Sequence, residues 1–189
     1  MNSNVLTIEM QKKHQKKMSE EHLSEAIKDS DCSAFKMLYY KYYEPLYRYI
    51  FYRTYSNELT KDLLQDVFTK LWMNRKKFDV SKSLKAYIYS ITSNLIIDYY
   101  RKRSSRIKYK NEFFTAQVIT GKDTAEDKIS IQNAVARLND KIKDVFILNR
   151  YEGFTYKEIA EIQNISIKTV EKRMSKALKF LRNYLKEKE

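Results

Sequence analysis

The chain has 189 residues, 43% of them hydrophobic and 32% charged, so a buried core is possible and wholesale disorder is not expected. Two glycines and one proline are too few for the tight turns of a β-sandwich, a barrel or a Gly-loop nucleotide fold, and the single Cys32 and two histidines exclude a disulfide framework and leave little for a metal or His-based catalytic site. A net charge of +13 calls for an anionic partner, nucleic acid first and a membrane surface second.

Residues 1–18 are polar and Lys-dotted and read as a flexible tail. Ser19-Glu20-Glu21 has the form of a helix start, a capping residue followed by first-turn acids, and predicts a short helix to Lys28. Phe35, Leu38, Tyr39, Tyr42, Leu46, Tyr47 and Ile50 recur at helical spacing, with Tyr39 expected in the core. Pro45 falls within this stripe and is expected to bend or split the helix. Leu63, Leu64, Val67, Phe68, Leu71 and Trp72 predict a helix over about Glu58 to Arg75. After a loop at Phe78–Ser81, a long helix is marked by Leu84, Ile88, Ile91, Leu95 and Tyr99 and ends in the basic run 101–106.

The charge divides the chain. Residues 33–110 carry a net +11 and residues 131–189 a net +5, while residues 111–130 carry a net −2. That acidic stretch, around Thr120-Gly121-Lys122-Asp123, reads as an interdomain linker, with a surface loop inside one domain as the alternative. Beyond it, Ile131, Val135, Leu138, Ile142, Val145, Phe146 and Leu148 form a second apolar cluster that stops at Gly153.

The most specific local signal follows. Thr155 with Glu158 three residues on fits a capping box, Asn164 suits a tight left-handed turn, and Ser166 can cap a last helix with the inward apolar stripe Ile167, Val170, Met174, Ala177, Leu178, Leu181 and Leu185. A short capped helix, a turn and a second helix make a helix-turn-helix. The face opposite the stripe shows Lys168, Glu171, Lys172, Ser175, Lys176 and Lys179, groups suited to base edges and phosphates in a major groove. On the long helix, Tyr87, Ser90 and Asn94 precede Arg101, Lys102, Arg103 and Arg106. Stacking rings, an amide and backbone-tracking cations suit a melted single strand. Asp62, Gln65 and Asp66 are acidic or polar in a basic block and would suit a basic patch on a protein partner, although, taken alone, ordinary solvation with pairing such as Asp66 to Lys70 is the better reading.

Taken in this order, the helix Asp62-Leu63-Leu64-Gln65-Asp66-Val67-Phe68-Thr69-Lys70-Leu71-Trp72, the segment Lys85–Lys102 and the helix-turn-helix Tyr156–Leu178 resemble a bacterial sigma factor of the extracytoplasmic-function group. The resemblance implies an all-α chain. It has an N-terminal four-helix domain that binds core polymerase and melts the promoter (19–106), a flexible linker (107–128) and a C-terminal four-helix domain with the helix-turn-helix (129–189). It implies that Asp62, Gln65, Asp66, Phe68, Leu71 and Trp72 bind core RNA polymerase. Phe78, Lys82, Tyr87, Ser90, Asn94 and the cations Arg101, Lys102, Arg103 and Arg106 meet the minus-ten element. Lys168, Thr169, Glu171, Lys172, Arg173, Ser175, Lys176 and Lys179 meet the minus-thirty-five element. Promoter DNA, as duplex and as melted strand, and core polymerase are the implied partners, and an anti-sigma factor is one the family allows. No cofactor, metal or catalytic residue is expected, and the chain is read as cytoplasmic, without membrane insertion. The rival readings are a free-standing helix-turn-helix regulator and, more remotely, a recombinase-like enzyme, for which no His, Cys or carboxylate cluster offers a site.

Overall fold

A computed structural model of the chain describes residues 19–108 and 126–186, with the side chains of 104–108 and 126–130 outside the description. The expected tail 1–18, most of the expected linker 107–128 and the Arg106 side chain lie outside the described residues.

The first four helices are α1 (Glu20–Lys28), α2 (Cys32–Thr54), α3 (Asn57–Met73) and α4 (Leu84–Lys108), with a 3₁₀ turn at Arg75–Lys77. Their starts are set by short polar side chains that satisfy orphan amides. Ser19 accepts from the His22 N–H, Asp31 from the amides of Ser33 and Ala34, and Ser56 from that of Leu59. Helix α2 ends where Tyr55 turns into the left-handed region at φ 50°. Leu38, Leu46, Ile50, Leu64, Val67, Ile88 and Ile96 meet in the core between α2, α3 and α4.

Of the two outcomes expected at Pro45, splitting does not occur: α2 is one helix of 23 residues. Proline removes a single N–H, whose partner would be the carbonyl of Lys41, an exposed residue with access to solvent. Tyr42 and Leu46 bracket the proline and are both buried, so packing holds the helix on either side.

The second group is α5 (Glu126–Ala136), α6 (Asp140–Arg150), α7 (Tyr156–Gln163) and α8 (Ile167–Lys186). The apolar stretch from Ile131 to Leu148 is two helices, divided before Asn139, whose side chain accepts from the Lys141 amide. Gly153 turns the chain at φ +74°, where a β-carbon would be strained. The reciprocal capping box of Thr155 and Glu158 is formed: the Thr155 hydroxyl accepts from the Glu158 amide, and Glu158 accepts from the Thr155 amide at 2.8 Å. Those donors hold the Glu158 carboxyl below its ordinary value near 4.5. Asn164 takes the left-handed turn at φ 51°, and Val170 and Met174 of α8 are fully enclosed.

The two groups of helices pack on each other, α6 against α2 and α7 against α4. Six consecutive residues of α6, Lys143 to Leu148, are buried. Six residues span more than a full helical turn, so α6 is covered on every side. At the centre of this contact Arg53 of α2 and Asp144 of α6 form an ion pair at 2.8 Å, with both side chains about 95% removed from solvent (4% and 5% exposed). Tyr49 donates to Asp144 Oδ1 at 2.5 Å and Ser93 of α4 donates to Oδ2 at 3.2 Å, while Arg53 also reaches the Asp140 carbonyl. Burial raises the Tyr49 phenol, and the Asp144 charge raises it further, so it stays a donor. At a second point Tyr89 donates to the Glu152 carboxylate, and Lys85 donates to the Glu152 carbonyl at 2.7 Å with its ammonium 4.2 Å from the Phe154 ring centroid. Tyr52 and Tyr151 close the far edge with ring centroids 5.1 Å apart.

Thr155→Ala is expected to destabilise the C-terminal helices by about 1 kcal/mol in chemical unfolding, the usual worth of such a cap. The Glu158 contribution is present above pH 4.5 and is lost as pH falls through its depressed folded value. The gap between the wild-type and Thr155→Ala curves should therefore narrow in acid without closing, because only the hydroxyl-to-carboxylate bond titrates and the Thr155 hydroxyl still accepts from the Glu158 amide.

Candidate nucleic-acid interface

Three surfaces carry the residues singled out from the sequence. The first is the outer face of α8. Lys168, Lys172 and Lys176 lie at four-residue spacing and are all exposed, with Lys179, Ser175 and Glu171 beside them. Because Val170, Met174, Ala177 and Leu181 anchor the opposite face, this face is held outward by packing. Two residues of the set are engaged within the motif. Thr169 pairs its hydroxyl with Ser166 at 2.9 Å, next to the Ser166 cap, and Arg173 donates to Gln163 of α7 at 2.8 Å. Arg173 thus ties the two helices of the motif together, and its guanidinium has only part of its donors left for an outside ligand.

The second surface is the solvent face of α4. Tyr87, Ser90, Asn94 and Arg101 follow at intervals of three, four and seven residues and share one side, with Asn94, Arg101 and Lys102 exposed and Tyr87, Ser90 and Arg103 half-buried. Asp98 sits on the same side and pairs with Arg101 at 3.0 Å. Phe78 is not available at the surface. It is 5% exposed, with its ring 4.8 Å from that of Tyr87, so it wedges the loop onto α4. Lys82 is exposed at the rim of that loop. The loop is braced by Asp79, which accepts from the Ser81 hydroxyl at 2.7 Å and from the Ser81 amide at 3.1 Å, contacts that hold its carboxyl below the usual range.

The third is an open groove of about 850 Å³ between α2 and α3. Asp62, Gln65 and Asp66 are exposed on α3, and Trp72 is half-buried. Phe68 and Leu71 belong mainly to the core, at 6% and 5% exposure, although Phe68 still forms part of the groove floor. The sequence reading missed the opposite wall. Phe35 lies 4.9 Å from Trp72 and Tyr39 lies 4.6 Å from Phe68, ring to ring, and Tyr39 is 37% exposed where a core position was expected. The signal was present in the run Tyr39-Tyr40-Lys41-Tyr42-Tyr43, where four rings on one helix exceed what a single buried stripe can hold.

Among the described residues no helix is long and apolar enough to cross a membrane, and no group of three or more His, Cys, Asp or Glu is placed to hold a metal ion. An all-helical chain with a helix-turn-helix and a second, separate basic helix face is a DNA-reading protein of two parts. Family models agree on what kind. Residues 38–106 match sigma-70 region 2 and residues 128–181 match sigma-70 region 4. The chain is 31% identical over 166 residues to the RNA polymerase sigma factor YlaC of Bacillus subtilis, covering 80% of this chain and 92% of that one. To the ECF sigma factor SigW of the same organism it is 26% identical over 176 residues, 85% of this chain and 94% of that one. The fold is also that of the sigma factor RpoE solved with the anti-sigma factor NepR from Bartonella quintana, with a TM-score of 0.71 at 24% identity over 80% of this chain and 96% of that one. The chain belongs to the sigma-70 family, in its extracytoplasmic-function group, and is a promoter-specificity subunit of RNA polymerase.

Phe78→Ala is expected to cost about 3–5 kcal/mol of stability, the usual range for emptying a buried aromatic site. Lys82→Ala in the same loop should leave the unfolding midpoint unchanged. Equal stability of the two variants would return Phe78 to the surface.

Proposed function

We propose that the three surfaces divide the work of promoter recognition. The lysine face of α8 reads the minus-thirty-five duplex, with Lys168, Lys172, Lys176 and Lys179 on phosphates or base acceptors and Glu171 accepting from a cytosine amino group. The outer face of α4 holds the melted minus-ten strand. There Asn94 pairs with the edge of an extruded base, Tyr87 offers a partly buried ring for stacking, and Lys82, Arg101, Lys102 and Arg103 follow the backbone. Asp62, Gln65 and Asp66, with Trp72 beside them, dock a basic surface of core RNA polymerase. Phe68, Leu71 and Phe78 support these surfaces from beneath. Residues 19–106 and 129–189 form the two working parts, joined by 107–128. The chain acts by binding alone, in the cytoplasm where promoter and polymerase meet. Its solved relative RpoE carries an anti-sigma factor, and the same class of regulator fits here.

The observation that carries this reading is the pair of outward basic faces on α4 and α8, each backed by its own buried stripe. Neither face alone suffices for a promoter. The +13 charge supplies salt-dependent affinity for any DNA and no sequence information, and one helix-turn-helix reads a single half-site.

Co-purification with bacterial core polymerase, followed by run-off transcription, tests the whole. The double variant Asp62→Lys with Asp66→Lys should lose polymerase binding at unchanged helicity. Lys176→Ala should weaken promoter binding by about 1–3 kcal/mol and change the preference at one position if it reads a base. If it touches only phosphate, it should lower the salt slope by about one unit for all sequences. A nanomolar, two-fold-symmetric footprint from the chain alone would overturn the reading in favour of a free-standing regulator.

A further inference from the structure

We infer that Glu20 and Ser30, at the two ends of α1, are positioning residues for minus-ten reading: they fix the first turn of α4 and the start of the loop before it, and so set where Tyr87 and Lys82 stand. The inference rests on the assignment of α4 to the melted strand proposed above and adds what holds that surface in place. Helix α1 precedes residues 38–106, which match sigma-70 region 2.

The segment that needs holding runs from Arg75 to Lys85. Phe78 and Leu84 are its buried anchors, and residues 79–83 between them are exposed or half-buried. Apolar packing therefore fixes two points of the segment and leaves the rest to hydrogen bonds. The first turn of α4 presents amides that no carbonyl of the helix can satisfy. Ser83 Oγ accepts from the Ala86 amide at 3.2 Å. The Lys85 amide is taken by α1: Glu20 Oε1 accepts from it at 2.9 Å. A carboxylate there also complements the positive end of the helix dipole. The same oxygen accepts from the Tyr42 hydroxyl of α2 at 3.2 Å. Burial raises the Tyr42 phenol and the Glu20 charge raises it further, so it remains a donor. One carboxylate of α1 thus joins α2 to the first turn of α4, two residues before Tyr87.

The other end of α1 holds the other end of the segment. Ser30 closes the helix in the left-handed region at φ 71°. Its amide donates to the Ile27 carbonyl at 3.0 Å, and the Asp31 amide donates to the Ala26 carbonyl at 2.9 Å. Glycine is the favoured residue in a helix ending of this form. Serine is strained there, but it supplies a hydroxyl that glycine lacks. Ser30 Oγ accepts from Arg75 Nε at 2.9 Å. Arg75 also donates to the Trp72 carbonyl at 2.7 Å and lies over the Trp72 ring, 4.2 Å from its centroid. The guanidinium is thereby locked where the chain leaves α3 for the loop. Leu23 and Ile27, both buried, seat α1 against the core between these two contacts. A group that reads a base must be held within about 0.5 Å, and Lys82 and Tyr87 stand on the segment that α1 braces. A first turn that frays must re-form on binding, so a lost brace appears as lost recognition of the minus-ten element.

The test uses the full chain bound to bacterial core polymerase. The complex selects from a pool of random-sequence duplex DNA, and sequencing reads the enrichment of each promoter element. Glu20→Ala should lower minus-ten enrichment roughly 2- to 30-fold, the range of a lost helix cap. Minus-thirty-five enrichment and polymerase affinity should stay at their wild-type values. Glu20→Gln keeps the acceptor oxygen and should restore most of the minus-ten enrichment. Ser30→Gly should also lower minus-ten enrichment, yet with no fall in the thermal unfolding midpoint, because glycine relieves the strain at φ 71°. A merely structural role cannot give that combination. Should Glu20→Ala lose helicity by circular dichroism, Ser30→Gly decides the matter. Unchanged minus-ten enrichment in either variant at full helicity would overturn the inference, and so would an equal fall at both elements. If the wild-type complex itself enriches no minus-ten sequence, the α4 assignment fails and the inference falls with it.

Discussion

Arg53 and Asp144 are the point on which the arrangement of this molecule depends. Two charges taken out of water lose several kcal/mol of solvation each, and only close geometry and added hydrogen bonds return it. Here the pair is 2.8 Å apart, Tyr49 and Ser93 donate to the two carboxylate oxygens, and the Asp140 carbonyl takes a further guanidinium N–H. Burial opposes the Arg53 charge, but Asp144 and its neighbours outweigh it and hold the guanidinium firmly protonated. The donors come from α2 and α4 and the acceptor from α6, so one carboxylate ties together three helices from both halves of the chain.

The same contact sorts the charge of the protein. Asp144 and Glu152, acids of the C-terminal half, are turned inward against Arg53, Lys85 and the phenols of Tyr49 and Tyr89. Burial raises the Glu152 carboxyl above its ordinary range, and the hydrogen bond from Tyr89 and the charges of Arg48 and Lys85 pull it partly back. Lys143 shows the cost on the basic side. Burial lowers its pKa, while its ammonium lies 3.7 Å from Asp140 and 5.4 Å from the Tyr55 ring centroid. Arg53 and Lys85 are drawn inward with these acids, so the contact is balanced in charge and the excess cations stand on the outer faces of α4 and α8. This is the distribution a polyanion-binding protein needs.

Much of the fold was legible because helices are local objects. The caps at Ser19 and Thr155, the left-handed turn at Asn164 and the apolar stripe of α3 were read at the right residues, since each depends on contacts within a few positions. The α8 stripe held at Val170, Met174, Ala177 and Leu181 but not at Ile167 and Leu178, which are exposed because no neighbouring helix covers the flanks of that face. The faces of α8 and α4 followed from the same periodicity. Errors arose where a side chain's surroundings come from elsewhere. Phe78 sits in a loop, where no period reveals which way it points, and it packs under Tyr87. Tyr39 belongs to an apolar stripe but meets a groove, because α3 approaches α2 closely enough to cover Leu38 and leaves Tyr39 at the edge. Pro45 is a breaker by local rules, yet the buried residues on both sides of it keep α2 whole.

The sequence by itself determined the helical class, the helix-turn-helix and the two basic faces, because periodicity, capping and charge are written in neighbouring residues. Only the tertiary structure decided that the halves close on one another. Arg53 and Asp144 are 91 positions apart in the chain, and each alone looks like an ordinary solvated charge on a helix. What makes them a buried pair is the coverage of all sides of α6, and that depends on how α2, α4, α7 and α8 come together around it.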